Sequence, residues 1–487
     1  MKQRVYVLPI WTCAFLASCT VGPKYEQPTL TATVPDAWHF SIAMECIPGD
    51  VDVRDWWYRF DDPQLVSLIS QAQKNNLTLQ TAVSSLLQAR ATFGIASAEL
   101  VPNVSAKGQA EREQGSNNST TLANFPNVQA KPVNDFAVGL DASWELDLWG
   151  GIEKNIEAAS AMEGVALENY RDALVTLRAE VASTYINIRV LQITKKLTTL
   201  SIETLQQLLS LIEAQYEQGI ISKSLLETER AMYDQNTTEL PAVEMQLVQE
   251  YARLAVLLGT EIKSVMHQLS EQSPVPSASP RVAVGIPVDI LRRRPDIRET
   301  ERALAAQTAL IGAKMANLYP KFSLSGSFGY EATETNDLIR WDSRAWSVGP
   351  SVSWDIFNGN RIRSQILLQE EKTNSALLTW EQTVLRAFAE VEISLSNLIE
   401  SGKVQESWND ASASLHEAFE LIKEEERAGA VQKQTVLNAK RNLINSQIML
   451  AEKTGAVSQN LVSLYKALGG DWKDVESKEN TQVRSTP

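Results

Sequence analysis

The chain has 487 residues, of which 44% are hydrophobic and 21% are charged, and its formal net charge is −14. This composition is typical of an ordered protein with two to four domains. The acidic balance argues against nucleic acid as a partner, because phosphate binding requires a cationic face.

The N-terminus predicts a lipoprotein signal. A positively charged start precedes a short apolar run at 5–16, and Leu16-Ala17-Ser18-Cys19 has the form of a lipobox. A run this short cannot cross about 30 Å of hydrocarbon as a permanent helix. We therefore expect cleavage of residues 1–18 and acylation of Cys19, with palmitate among its lipids; an ordinary cleaved signal peptide is the alternative. An aspartate directly after the cysteine would resemble the signal that retains bacterial lipoproteins at the inner membrane. This chain has Thr20 there, so delivery to the outer membrane is expected.

The rest of the chain restricts how it could cross a membrane. Cys46 is the one cysteine left unmodified in the mature chain, so no disulfide is expected within it. No other apolar run reaches the roughly 20 residues that a spanning helix needs. If the chain crosses a membrane at all, it must do so as a β-barrel.

An internal repeat covers most of the chain. Residues 144–259 come back at 354–469, shifted by 210 positions, and the segment 94–102 returns at 312–320, shifted by 218. This unit exceeds the 20–50 residues of a solenoid repeat, so it indicates one duplicated domain. In chain order, the predicted segments are the signal peptide (1–18), an N-terminal extended segment (19–63), the first structural repeat (64–270), an inter-repeat linker (271–296), the second structural repeat (297–470) and a polar C-terminal tail (471–487). Each repeat has a helix, a strand pair (103–149 and 320–357) and a long helix hairpin (153–259 and 360–468).

In four segments, apolar residues alternate with small or polar residues at the two-residue period of a strand. They are 104–111, 136–145, 322–330 and 346–356. One face of each is apolar and aromatic, and the other is small or polar. The apolar face would point to a core in a soluble sandwich and to lipid in an outer-membrane barrel. Periodicity alone leaves both interpretations open.

Very long helices follow each strand pair. The segments 153–219 and 360–429 contain no proline, and such a stretch spans roughly 100 Å at 1.5 Å per residue. Each turns at a glycine, Gly219 or Gly429, into a shorter partner helix. Pro241 is expected to kink the first of these partners, because proline cannot continue the helical hydrogen bonds. The partners are 224–258 and 433–468.

Four strands are too few for one chain to close a barrel, since eight is about the minimum. An open sheet would leave unpaired edges, which hydrocarbon does not tolerate. The chain is therefore expected to oligomerise. Three protomers give twelve strands and two give eight, and a trimer of duplicated protomers also gives pseudo-sixfold helical walls that suit a tube.

Several motifs occur in the order that is typical of one family. They are the stretches 21–28, 285–297, 312–320, 354–359 and 464–472. With these motifs the chain resembles the TolC-like outer membrane factors, and among them the lipid-anchored efflux channels of the NodT type. The resemblance covers essentially the whole mature chain. It makes the three arginines at 292–294 structural, and the acidic total disfavours the alternative of a phosphate-binding patch.

The resemblance implies an α+β membrane protein: a homotrimer with a 12-stranded outer-membrane β-barrel, four strands from each duplicated protomer, continued by a long α-helical periplasmic tunnel. Residues 19–63 would run along that tunnel. The implied location is the cell outer membrane, with a lipid anchor and an extension into the periplasm. The implied function is passive conduction of small molecules, such as drugs and toxic compounds, from an inner-membrane pump and a periplasmic adaptor. A type I protein secretion channel and a non-channel structural coiled-coil lipoprotein are the alternatives.

The resemblance places the two glycine turns at the periplasmic tip, where the adaptor docks. The candidate docking residues are Tyr216, Gly219, Ser222 and Gly429. The second turn has neither the tyrosine nor the serine of the first. A glycine that caps the C-terminus of a helix is the simpler explanation of both turns, and one turn can do both.

The sequence departs from the family at the gate. Family members commonly place an aspartate nine residues after the second glycine, where three copies form an acidic ring, but this chain has Asn438 there. The gate candidates are Gln434, Asn438 and Arg441. Apolar closure at Val436 and Leu437 is a second possibility, and an ordinary helix surface is the third. Carboxylate rings select cations, so an asparagine ring is expected to lose that selectivity.

Enzymatic chemistry has little support in the sequence. The three histidines are His39, His267 and His416, and they are far apart, without metal-ligand spacing. There is no phosphate-binding glycine loop and no nucleophile elbow. We therefore expect no enzyme activity, no cofactor and no metal.

Overall fold

A computed structural model of the chain describes residues 20–29, 38–40, 55–116, 130–278 and 293–470. The proposed signal peptide, the lipid-attachment residue Cys19, Cys46 and the tail 471–487 lie outside these residues. The chain divides into two compact units. The first contains residues up to 28, 87–165 and 300–379; the second contains 29–86, 166–299 and 380–487.

The elements alternate between helices and strand pairs along the chain. In chain order they are a short 3-10 helix (Trp56–Phe60), α1 (Pro63–Asn75), α2 (Leu77–Ala98), β1 (Asn103–Glu113), β2 (Val133–Leu146), α3 (Gly151–Glu217), α4 (Lys223–Thr237), α5 (Glu239–Leu258), α6 (Ile262–Gln268), α7 (Pro295–Ala316), β3 (Lys321–Ala332), two short 3-10 helices (Thr335–Asp337 and Trp341–Ser343), β4 (Arg344–Ser353), α8 (Arg361–Arg427) and α9 (Lys433–Ala467). None of the helices described is both long and apolar enough to cross a membrane.

The first unit contains one four-stranded sheet in the order β1-β2-β3-β4, with antiparallel neighbours throughout. Within the described residues, β1 and β4 are edge strands with one neighbour each. The last strand is shorter than the sequence predicts, because the alternation runs to Ile356 whereas β4 ends at Ser353. Ser353 pairs with Lys321, the first residue of β3, so that strand offers no partner to the residues that follow.

The two long helices, α3 and α8, have 67 residues each, which corresponds to about 100 Å of helix. The partner of α3 is interrupted where Pro241 predicts a disturbance, since α4 ends at Thr237 and α5 begins at Glu239. Proline has no N–H to donate to the carbonyl four residues earlier, which here belongs to Thr237. The partner of α8 is the single helix α9.

The core of the second unit is built around α3. Val181, Tyr185 and Ile188 are fully buried on one stripe of this helix. The Tyr185 hydroxyl donates a hydrogen bond to Oδ2 of Asp62 at 2.8 Å, and Oδ1 of Asp62 accepts the backbone N–H groups of the first turn of α1. The Asp62 carboxylate thus caps α1 and fixes it against α3.

Arg294 has a structural role in the second unit. Its guanidinium donates to Asp296 and Glu390, at 2.6 Å and 2.7 Å, and to the backbone carbonyl of Ala467 at 3.0 Å. These partners lie at the start of α7, on α8 and at the end of α9. A single buried arginine therefore links three helices by hydrogen bonds. This contact agrees with a structural interpretation of the arginines at 292–294. Arg292 lies outside the described residues.

Candidate gate and docking turns

The first candidate site is the turn from α3 to α4 in the second unit. Gly219 adopts a left-handed backbone conformation with φ of +71°. Its N–H donates to the Tyr216 carbonyl, and the N–H of Ile220 donates to the Gln215 carbonyl, both at 2.9 Å. This pair of bonds is the Schellman motif, in which glycine avoids the strain that a Cβ would cause. The conformation of this turn therefore explains why residue 219 is glycine.

The turn from α8 to α9 repeats this arrangement. Gly429 has φ of +76°, its N–H donates to the Glu426 carbonyl at 2.9 Å, and the N–H of Ala430 donates to the Glu425 carbonyl at 2.8 Å. A Cβ at either glycine would meet no heavy atom of the described chain within 4 Å. Both turns thus have a glycine cap and open space around it.

The two turns differ in the side chains beside the glycine. Tyr216 and Ile220, in the first turn, are 39% and 66% exposed, so this turn presents apolar surface to its surroundings. Ser222 caps the start of α4, where its Oγ accepts the N–H of Leu225 at 3.4 Å and shares a hydrogen bond with Oγ of Ser224. Gln432, in the equivalent place before α9, makes no capping bond.

The gate candidates Gln434, Asn438 and Arg441 lie on one face of α9, because their spacing of four and three residues matches the helical period. All three are partly exposed. Nη1 of Arg441 lies 3.8 Å from the sulfur of Met232 on α4, so the guanidinium is positioned over the neighbouring helix. The described chain therefore offers a polar stripe without a carboxylate at the three candidate positions.

The two apolar residues next to this stripe are buried within the single chain. Val436 and Leu437 are only 5% and 4% exposed. Leu437 packs in a cluster that holds the ends of both hairpins together, with Leu208, Ile212 and Leu226 as its other members. In this conformation the pair is not available to seal a pore between copies. The sequence did not reveal the cluster, because its members come from three helices.

An exposed ion pair flanks the first turn. Nη2 of Arg230 on α4 lies 3.0 Å from Oε1 of Glu213 on α3, and this hydrogen bond raises the pKa of Arg230. Exposed pairs of this kind contribute little to stability. Within the residues that the structure describes, no group of three or more histidine, cysteine or carboxylate side chains could hold a metal ion.

Comparison with known proteins relates this arrangement to one family. The chain matches the family model described as outer membrane efflux protein over residues 68–260 and 286–470. It is 30% identical to the pyoverdine export outer membrane protein OpmQ of Pseudomonas aeruginosa over 467 residues, which cover 95% of this chain and 96% of that protein. It is 27% identical to nodulation protein T of Rhizobium leguminosarum bv. trifolii over 475 residues, 98% of this chain and 99% of that protein. The solved outer-membrane channel OprN is similar with a TM-score of 0.83 and 28% identity, over 93% of this chain and 100% of that one.

These similarities extend over nearly the whole length of each protein, and they confirm the resemblance to outer membrane factors and the α+β fold. The family is a channel family and not an enzyme class. The chain belongs to the outer membrane efflux protein family.

Proposed function

We propose that this chain is the outer-membrane channel of a tripartite efflux system, in which three copies passively conduct small molecules. An inner-membrane pump delivers the substrates, and a periplasmic adaptor joins the pump to the channel. The observation that carries this proposal is the four-stranded sheet, whose edge strands β1 and β4 each have one neighbour in the described chain. Hydrocarbon does not tolerate unpaired strand edges, so other copies must complete the sheet. Three copies give twelve strands.

The exposure of the sheet favours lipid over a protein core. Leu140, Phe328, Trp346 and Val348 on its apolar face are between 48% and 69% exposed in the single chain. An apolar face left uncovered by the protein suits contact with acyl chains. The other face has serine pairs across β3 and β4, including a hydrogen bond of 2.8 Å between Oγ of Ser327 and Oγ of Ser347. A polar face of this kind suits a water-filled lumen.

The lipid anchor at Cys19 is part of the proposal. Two residues later, the N–H of Val21 donates to the Trp149 carbonyl at 3.1 Å, just before α3 begins. The residue that would be acylated thus precedes a segment fixed between the sheet and the start of this helix. We expect Cys19→Ala to remove the lipid mass from the mature chain. Mass spectrometry of the purified wild-type and variant proteins tests this, and an N-terminal Cys19 without added lipid mass in the wild-type protein would rule out acylation there.

The tip residues enter the proposal as adaptor contacts and gate. The adaptor docks on the glycine turns, with Tyr216, Gly219, Ser222 and Gly429 among its contacts. The pore closes at the stripe of Gln434, Asn438 and Arg441, where three asparagines replace a ring of carboxylates. We propose no catalytic role for any residue.

A change of charge at position 438 tests the gate proposal. Asn438→Asp would add three carboxylates at the constriction, so cation selectivity and block by divalent cations are expected to increase. The matched control is Thr228→Asp, because Thr228 is the exposed equivalent of Asn438 in the first repeat. The measurement is the reversal potential of single channels in a salt gradient. Equal responses from both variants, or none from Asn438→Asp, would overturn the assignment of Asn438.

The channel function itself is tested by planar-bilayer recording of the purified, detergent-extracted protein. We expect discrete openings, which become more frequent when the tip is destabilised by Gly429→Val. A protein that shows no openings with either sequence would favour the structural lipoprotein instead.

Deletion of the gene separates efflux from protein secretion. Increased sensitivity to small toxic compounds with an unchanged set of secreted proteins is expected, and the reverse outcome would favour a secretion channel.

A further inference from the structure

A cavity of about 590 Å³ lies between three helices of the second unit, α3, α5 and α9. Glu239, which lines it, is the first residue of α5 and directly follows the break between α4 and α5. Ligand-binding cavities are commonly about 300–1,000 Å³, so this one has room for a small molecule. None of the gate or docking candidates lines it.

The first unpaired polar group in this cavity belongs to Thr194 of α3. Thr194 lines the cavity and is only 8% exposed, and its Oγ1 has no hydrogen-bond partner among the described residues. Thr199 and Thr204 on the same helix donate to the carbonyl four residues earlier, at 2.9 Å and 2.7 Å. The Thr194 hydroxyl makes no such bond, so it is available to a molecule in the cavity.

Glu250 of α5 supplies the second unpaired group. Its Oε1 accepts a hydrogen bond from Nδ2 of Asn187 at 3.4 Å, whereas its Oε2 is buried and has no partner in the described chain. The amide of Asn187 is neutral, and its Oδ1 accepts a hydrogen bond from Nε2 of Gln459 on α9. A buried carboxylate oxygen without a partner is costly, because it has lost its hydration. A cationic donor in the cavity would remove that cost.

The two unpaired groups lie at different levels of the cavity. A Cβ on Gly455 of α9 would collide with Val190 of α3, so the helices touch there. Together with the contact of residues 459 and 187, this shows that α9 runs antiparallel to α3, and it brings Glu452 level with Thr194. That level is seven residues from the level of Glu250, which corresponds to about 10 Å along α3.

The charge of the cavity wall is negative. Among the described residues that line it are Glu239, Glu250 and Glu452, and none is a lysine or an arginine. Nζ of Lys195 lies 2.8 Å from Oε1 of Glu244, and both residues are outside this lining. Within the described part of the chain, the three glutamates do not form a group that could hold a metal ion. The electrostatics therefore favour an organic cation.

The wall between the two levels is apolar, because Val190 and Leu191 line the cavity there. We propose that the cavity binds a linear aliphatic diammonium ion. One ammonium group contacts Glu250, the other contacts Thr194 and Glu452, and the methylene chain lies against the apolar wall. Each ammonium has three N–H donors and no acceptor, which suits the carboxylate and hydroxyl oxygens at the two levels.

The second repeat lacks both unpaired groups. Under the shift of 210 positions, Thr194 corresponds to Val404 and Glu250 corresponds to Asn460. Nδ2 of Asn460 donates to the carbonyl of Asn397 at 3.2 Å, so a direct hydrogen bond joins the two helices at this place. The polar groups of the cavity are therefore specific to the first repeat.

The wall residues on α9 continue the spacing of the gate candidates. Ile448 follows Arg441 by seven residues, and Glu452 follows Asn438 by fourteen, so all four lie on one face of the helix. In the proposed channel this face lines the pore, and a bound diammonium ion would be cargo held in the tunnel wall. This last step rests on the proposed function, whereas the site itself does not.

The test is equilibrium binding to the purified full-length protein in a non-ionic detergent, measured by calorimetry. The probe is heptanediamine, whose extended chain separates its ammonium groups by about the distance between the two levels. Propanediamine is the control, because it has the same charge and the same donors on a chain too short to reach both levels. Heptanediamine is expected to bind one ion per chain, and about 10-fold or more tighter than propanediamine, since the shorter ion loses a charged hydrogen bond.

Four variants locate the binding. Glu250→Gln and Glu452→Gln each remove the charge at one level and should weaken binding of heptanediamine by about 10-fold or more. Thr194→Val introduces the residue of the second repeat and should weaken binding by about 3-fold; it should keep the fold, because it removes an unpaired polar atom. Glu244→Gln is the matched control, because Glu244 is an exposed glutamate of α5 outside the cavity wall, and it should leave binding unchanged. Thermal unfolding verifies that each variant is folded.

Three results would overturn the site. They are no binding of heptanediamine to the folded protein, equal affinities for the two diamines, and an equal loss of binding with Glu244→Gln. The first would mean that water alone fills the cavity, and the others would reduce binding to the general acidity of the chain. A protein that conducts ions but does not bind heptanediamine would lose the site and keep the proposed function. A protein that binds it but does not conduct would keep the site and lose its role in transport.

Discussion

The two hairpin ends have the same backbone and different surfaces. Gly219 and Gly429 both close a Schellman motif at nearly the same φ, so the turn itself is equivalent in the two repeats. The first turn has an exposed tyrosine and a serine cap, whereas the second follows three successive glutamates at 424–426 and has no side-chain cap. The duplication has thus kept the backbone conformation of the turn and its glycine, whereas the side chains beside the glycine differ.

The partner helices differ in a similar way. Pro241 interrupts the first, and Ala451 occupies the equivalent position in the uninterrupted α9. The first hairpin therefore has a point of local weakness that the second lacks. Proline breaks are sites where a helix can bend at low cost. We infer that the first turn contributes more than the second to adaptor binding, and that the second hairpin provides the stiffer wall that positions the gate stripe.

The largest expected effect comes from giving the second hairpin the break of the first. Ala451→Pro should cost about 3 kcal/mol or more, because it removes one hydrogen bond and clashes with the preceding turn. Hydrogen exchange along α9 should accelerate by about 100-fold or more. The converse variant, Pro241→Ala, should slow exchange at Thr238. Unchanged exchange in both variants would contradict the stated difference between the hairpins.

The next effect tests which turn binds the adaptor. Tyr216→Ala should weaken adaptor binding by about 2 kcal/mol, roughly 30-fold in Kd, because exposed aromatic residues dominate interfaces of this kind. The matched variant in the second turn is Glu426→Ala, which should have a much smaller effect. Titration of the purified adaptor by calorimetry measures both. A larger loss for Glu426→Ala would reverse the assignment of the two turns.

A smaller effect is expected where the turns are alike. Gly219→Ala and Gly429→Ala should each cost about 1–2 kcal/mol, because a left-handed conformation strains any residue with a Cβ. Gly402, inside α8, is the control, since alanine in a helix interior should stabilise it by about 1 kcal/mol. Local hydrogen exchange reports all three. Equal costs in the two turns are predicted, and unequal costs would show that their backbones differ in solution.

The smallest effect concerns the cap. Ser222→Ala should cost about 1 kcal/mol at the start of α4, and Gln432→Ser should stabilise the start of α9 by a similar amount. Exchange of the first amides in each helix is the measurement. Identical exchange after Gln432→Ser would mean that the second turn does not accept the cap of the first.

Much of the fold was predictable because it depends on local pattern. The four strands were evident from alternation, which survives in an exposed sheet with one apolar and one polar face. The long helices were evident from the absence of proline and the cap glycines. The end of β4 was not evident from the sequence, because a strand ends where its neighbour ends. Ser353 is opposite the first residue of β3.

The candidate site was predictable in part. The glycine turns were identified correctly as helix caps, since their conformation can be inferred from residue type and helical phase. The burial of Leu437 could not be inferred, because it depends on Leu208, Ile212 and Leu226 from two other helices. The contact of Arg441 with Met232 was missed for the same reason. The assignment of Gln434, Asn438 and Arg441 to a gate stays a prediction.

The central claim is that this duplicated chain completes its sheet and helical wall only with further copies of itself. The most direct test is the molar mass of the detergent-extracted protein, measured by light scattering with the detergent contribution subtracted. A mass of three chains at all accessible dilutions is predicted. A folded monomer that shows its four strands without a partner would contradict the account.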